Sequence, residues 1–174
     1  SNLASFLLYL LQERFPGLQG NAAAQPATLL VMATGIAILL AALPAGWLAD
    51  KIGTKPVLAV SGIIAAAGTL VVIAAQDMSM MTVGAVLVGV ASGAFYSANW
   101  ALGTQIVPKK EAGRYLGISN LAGAGAGAIG AYIGGPIGDS SGYVVQMAIY
   151  AALFLFSTLA LLRIKPANHK AEHA

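Results

Sequence analysis

Long apolar runs separated by short polar or charged breaks set the plan of the chain. Runs at about 27–49, 56–75, 80–105, 114–138 and 143–162 each reach roughly the 20 residues a helix needs to cross a bilayer. An earlier run, about 1–14, is too short to span and predicts part of a helix. Phe15-Pro16-Gly17 ends it, and 20–26 reads as a loop, because proline removes a backbone donor and restricts the residue before it. The later breaks are Gly46–Pro56, Gln76–Ser79, Ile106–Gly113 and Asp139–Gly142, and 163–174 is a polar tail. These runs are too long and too uniformly apolar for the alternating strands of a membrane barrel. The pattern therefore predicts one all-α membrane domain over 1–174, with five complete helices and one truncated one.

Composition agrees. Residues are 58% hydrophobic and only 9% charged, whereas soluble domains average about 25% charged. Twenty-one glycines suit helices that approach closely in lipid. The absence of cysteine excludes disulfides and thiolate metal sites. The net charge of +3 is explained by where the charges stand rather than by a nucleic-acid partner. Of the nine basic residues, only Arg14 lies in an odd-numbered break. Lys51, Lys55, Lys109, Lys110, Arg114, Arg163, Lys165 and Lys170 lie in even-numbered breaks or the tail. That alternation is the positive-inside pattern. It puts Gly46–Pro56, the Lys109 loop and the C-terminal tail in the cytoplasm; the expected location is a bacterial inner (plasma) membrane.

Gly46-Trp47-Leu48-Ala49-Asp50-Lys51-Ile52-Gly53-Thr54-Lys55-Pro56 packs three charges between two membrane-length runs. Gly46 permits a close helix crossing, Gly53 a turn with positive φ, and Lys51 and Lys55 face water and anionic head groups. Asp50 suits the partial positive charge of a helix N-terminus. The spacing resembles the signature loop of the major facilitator superfamily, which joins the second and third helices of each six-helix half. The departure is Thr54, where that family usually has a basic residue. The resemblance implies that the chain is the C-terminal half of such a fold, helices seven (truncated) to twelve. It implies a missing N-terminal six-helix half as partner, and a latch of Gly46, Asp50, Lys51, Gly53 and Lys55 in which Asp50 docks beside Gly113 and Arg114. A generic polar turn whose lysines only set topology is the alternative. Ala98–Pro108 and Gly113–Ala122 further resemble the sucrose-transporter-like and glycoside–cation symporter branch, in which an Asp often stands where this chain has Asn99.

Polar groups in hydrocarbon are costly unless they face the bundle or a cavity. Tyr96, Asn99 and Trp100 are three and four residues apart and share one helix face, which Ser92 extends, with Ser97 nearby. Asn120 stands inside the fourth full span, and Ser5, Tyr9 and Gln12 repeat the spacing in the truncated helix. Amides and aromatic plates are the chemistry of a sugar site, so Asn99, Tyr96, Trp100, Asn120 and Tyr9 are the candidate substrate contacts. Interhelical hydrogen bonding by the asparagines and interface anchoring by the aromatics stay open beside it. The glycine-rich stretches 123–130 and 134–136 fit a gating helix or plain tight packing. No ionisable group lies deep in a span, so a coupling ion, if used, binds elsewhere. Nothing forms a nucleophile–base pair, metal cluster or phosphate cradle, which argues against an enzyme, a metal or a cofactor. The expectation is a secondary active transporter in the lipid bilayer, moving a small polar solute, a sugar or glycoside, by alternating access. An exporter of a drug or other metabolite and a non-transporting packing module are the alternatives.

Overall fold

The structure is a computed structural model that describes residues 9–18, 20–106 and 112–163. Ser5, Lys109, Lys110 and the tail beyond Arg163 lie outside the described residues. A helical segment over 9–14 is followed by a single 3-10 turn, Gly20–Ala23, and five long helices. These are α1 (Ala24–Ile52), α2 (Thr54–Ala74), α3 (Met78–Ile106), α4 (Ala112–Ser141) and α5 (Tyr143–Arg163). Each contains a stretch long and apolar enough to cross a membrane. No strand occurs among the described residues, and the fold is all-α.

The helices run past the apolar runs at several ends because local chemistry satisfies their termini. Pro26 and Pro56 each stand third in their helix, where the missing N–H has no intrahelical partner to lose. Asp77 starts α3 by accepting the Met80 N–H at 2.8 Å, a side-chain N-cap. The expected Gly46–Pro56 break shrinks to one residue. α1 continues to Ile52, and Gly53 stands between the helices at φ 94° and ψ 156°, its N–H donating to the Ala49 carbonyl at 2.9 Å. That backbone region is essentially reserved to glycine. Lys51 in the last turn of α1 favourably opposes the negative end of the helix dipole, so the charges sit on helix rather than loop.

α3 is the axis of the bundle. α1 and α2 both pack extensively on it but only slightly on each other, and α5 packs on the far side of α2. Glycine permits this closeness. A Cβ on Gly84 would lie 2.8 Å from the Val72 backbone nitrogen of α2, and one on Gly89 would lie 2.6 Å from the Thr34 carbonyl oxygen of α1. Two buried clusters result. Leu10, Leu11, Leu30, Val72, Met81 and Met147 fill one end, and Ala45, Ala49, Val57, Leu58 and Ala98 the Gly53 end. Buried hydroxyls are satisfied within their own helices, Thr69 on the Ala65 carbonyl at 2.8 Å and Ser61 on that of Leu58 at 2.7 Å. α4 differs: its most apolar window has no buried residue, and α5 is its principal packing partner.

Candidate functional site

α3 is mostly buried or half-buried and exposes polar and aromatic side chains towards its C-terminal end. Gly84, Ala85, Val88, Gly89, Ala91 and Ala98 turn inward to α1 and α2. Phe95, Tyr96, Asn99 and Trp100, towards the C-terminal end of α3, are left exposed, Trp100 to 61%. The Tyr96 ring meets Phe95 edge-on, with centroids 6.1 Å apart and planes at 71°. The Ser92 hydroxyl donates to the Val88 carbonyl at 2.8 Å, so it is held by its own helix. One helix face thus presents an amide between two aromatic rings, a combination that can bind hydroxyls directionally and stack on the apolar side of a ring. Asn120 is exposed on α4. α4 does not pack extensively on α3, so Asn120 is not brought into the α3 group.

Tyr9 is placed in a different group, at the opposite end of α2 from Gly53. Its ring stacks on Tyr143, with centroids 5.3 Å apart and planes at 11°. The neighbouring Glu13 accepts the Tyr143 backbone N–H at 2.9 Å, placing a carboxylate on the positive end of α5. Arg14 donates to the Ile73 carbonyl in the last turn of α2, placing a cation on that helix's negative end. Adjacent residues of opposite charge thereby cap two different helices. The Tyr143 hydroxyl donates to Asp139 at 2.8 Å across the turn at Gly142, where φ is +85°. One turn further, buried Gln146 donates to Tyr150 at 3.2 Å, and its Oε1 has no partner among the described residues. That oxygen lies 2.9 Å from where a Gly138 Cβ would stand, so glycine at 138 leaves it room. Glu13, Tyr143 and Gln146 escaped the sequence reading. The available signal was the Glu13-Arg14 pair at the end of an apolar run, opposite a tyrosine opening a helix.

Around the signature stretch, a Cβ on Gly46 would sit 2.8 Å from the Ser97 hydroxyl, so α1 and α3 cross closely there. The Lys51 ammonium lies 3.8 Å from the centre of the Trp47 ring, a cation–π contact. Asp50 is exposed on the last turn of α1 and Arg114 on the first turn of α4, and α1 and α4 do not pack extensively together. An apolar groove of about 730 Å³ opens between α1 and α2, and none of Tyr9, Tyr96, Asn99, Trp100 and Asn120 lines it.

Comparison with known proteins follows this geometry. The sequence model of the family described as Major Facilitator Superfamily matches residues 3–174. A Bacillus subtilis (strain 168) protein named minor myo-inositol transporter IolF is 29% identical over 134 residues, which are 76% of this chain and 30% of that protein. Two Mycobacterium tuberculosis proteins named uncharacterized MFS-type transporters, MT1926 (strain CDC 1551 / Oshkosh) and Rv1877 (strain ATCC 25618 / H37Rv), are each 34% identical over 74 residues. Those cover 42% of this chain and 11% of each protein. The chain matches less than a third of the length of these relatives. No solved structure matches significantly.

Proposed function

Since the chain belongs to the Major Facilitator Superfamily, we propose that it forms helices seven to twelve of a secondary active transporter for a small polyhydroxylated solute, a sugar, glycoside or cyclitol. A second six-helix half completes the carrier, and the two rock about a central site by alternating access. The observation that carries the solute class is the shared exposed face of Tyr96, Asn99 and Trp100 on α3, the helix that organises the bundle. The similarity to an inositol transporter supports the same class. In this reading the Gly53 end, the Lys109 loop and the C-terminus are cytoplasmic, in a bacterial inner membrane. Asp50 latches one access state against the Arg114 end of α4, which moves to meet it when the second half is in place. The ion that drives symport binds in the other half.

Uptake of labelled myo-inositol and of a hexose by vesicles carrying the full-length protein tests this. Asn99→Ala should lower uptake at least about fivefold at unchanged protein level, because a lost hydrogen bond to a bound hydroxyl costs about 1–3 kcal/mol. Undiminished uptake of every polyol taken up by the unaltered protein would refute the assignment.

A further inference from the structure

α1 and α2 meet at Gly53 and diverge, both resting on α3. Their divergence leaves the groove of about 730 Å³, with Val86, Val90 and Ala94 of α3 as its floor. Leu40 and Leu48 stand on one wall and Val60 and Ile64 on the other. The one polar side chain in the lining, Ser61, spends its hydroxyl on the Leu58 carbonyl of its own helix. The groove offers a ligand no other side-chain hydrogen bond, so it suits an apolar occupant. It reaches Ile52 and Pro56 at the Gly53 end, and Lys51 and Lys55 each stand one residue from these. Asp50, Lys51 and Lys55 are the only charged residues between Phe15 and Gln76, so the groove has one charged end, net positive. Trp47, 59% exposed beside Lys51, is the amphipathic ring expected at head-group level.

We propose that this groove is a seat for one anionic phospholipid, an acyl chain lying between α1 and α2 and the head-group phosphate on Lys51 and Lys55. The proposal rests on the membrane-spanning reading and is independent of the solute carried. A looped or extended polypeptide would bring backbone donors and acceptors that this lining cannot satisfy, whereas a helix satisfies its own. Against an apolar helix face, it is the two lysines at one end that favour a lipid with an anionic head group. A lipid tail brings no backbone groups, and the lysines supply the complement to its phosphate. The Asp50 carboxylate on the same turn opposes part of that attraction. A juxtamembrane lysine favours anionic lipid by about fivefold, so two lysines together give a preference on the order of tenfold or more once Asp50 is counted.

The test uses the full-length protein exchanged into equal mixtures of phosphatidylglycerol and phosphatidylcholine, with retained lipid counted by native mass spectrometry. The unaltered protein should retain phosphatidylglycerol in preference to phosphatidylcholine. The K51Q/K55Q double variant should lose about tenfold of that preference. Ala41→Phe, which fills the groove from α1, should retain one lipid fewer, and Val60→Trp should do the same from the α2 wall should the first variant fail to fold. Retention without head-group preference would overturn the proposal. So would full lipid occupancy in a folded groove-filling variant, or a protein dimer without lipid that either groove variant dissociates.

Discussion

One methyl group placed at two glycines should change stability in opposite directions. Gly→Ala inside a helix ordinarily gains about 1 kcal/mol from propensity alone. On α4 nothing lies within 4 Å of a Cβ built on Gly123, so Gly123→Ala should keep that gain. On α3 the methyl of Gly84→Ala would lie 2.6 Å from Val72 Cγ2, 2.8 Å from the Val72 nitrogen and 2.9 Å from the Gly68 carbonyl oxygen. Carbon contacts are comfortable only at about 3.5–4.0 Å, and two of these three atoms are backbone, which cannot rotate away. Overpacking costs about 1–3 kcal/mol. The upper part of that range applies here and outweighs propensity, leaving Gly84→Ala less stable by about 1–2 kcal/mol. The two variants should therefore differ by about 2–3 kcal/mol. Titration of the protein in dodecyl maltoside with sodium dodecyl sulfate, followed by helicity, measures the difference. Equal stability of the two variants would refute the claim that the α2–α3 crossing requires glycine.

Substitutions at the α5 cap and at the glycine between α1 and α2 probe two other parts of the fold. Glu13→Gln keeps the shape of the carboxylate that caps α5 but removes its charge, and should lower stability by about 0.3–1 kcal/mol at low salt, a loss that shrinks as salt is raised; Glu13→Ala should cost about 1 kcal/mol. Gly53→Ala forces a side chain into backbone at φ 94° and ψ 156° and should cost about 1–3 kcal/mol, visible as a lower detergent-unfolding midpoint, whereas Gly103→Ala, with nothing within 4 Å of its Cβ, should not.

The all-α membrane class was legible because five apolar runs are too long for anything else, and the same five runs carry the long helices of the structure. The width of the signature break was not, because Trp47 to Lys51 read as polar punctuation while the backbone keeps its helix through Ile52 and turns on Gly53 alone. Glycine roles were partly legible. Gly46 was read as a close crossing and lies against Ser97, but the conspicuous glycine run on α4 meets open space at Gly123, Gly125 and Gly127. The tight approaches fall instead at scattered glycines, Gly68, Gly84, Gly89 and Gly93. Density of glycine in sequence does not report which helix face has a neighbour. The shared face of Tyr96, Asn99 and Trp100 followed from helical spacing alone, whereas the separation of Tyr9 and Asn120 from it depends on which helices pack together. The Glu13–Tyr143 contact joins residues 130 apart, a pairing that no local pattern encodes.

The central claim is that the α3 face bearing Asn99 lines a water-filled solute route and not the lipid. The chain has no cysteine, so a single one can be placed at will in an otherwise cysteine-free full-length carrier. Asn99→Cys and Leu43→Cys, the latter at an 83% exposed position on α1, would be labelled in membranes with a charged maleimide, with and without solute. Rapid labelling at position 99 that saturating solute slows, with Leu43→Cys unreactive, is the predicted result. Position 99 labelling no faster than position 43, or indifferent to every polyol the carrier transports, would contradict it.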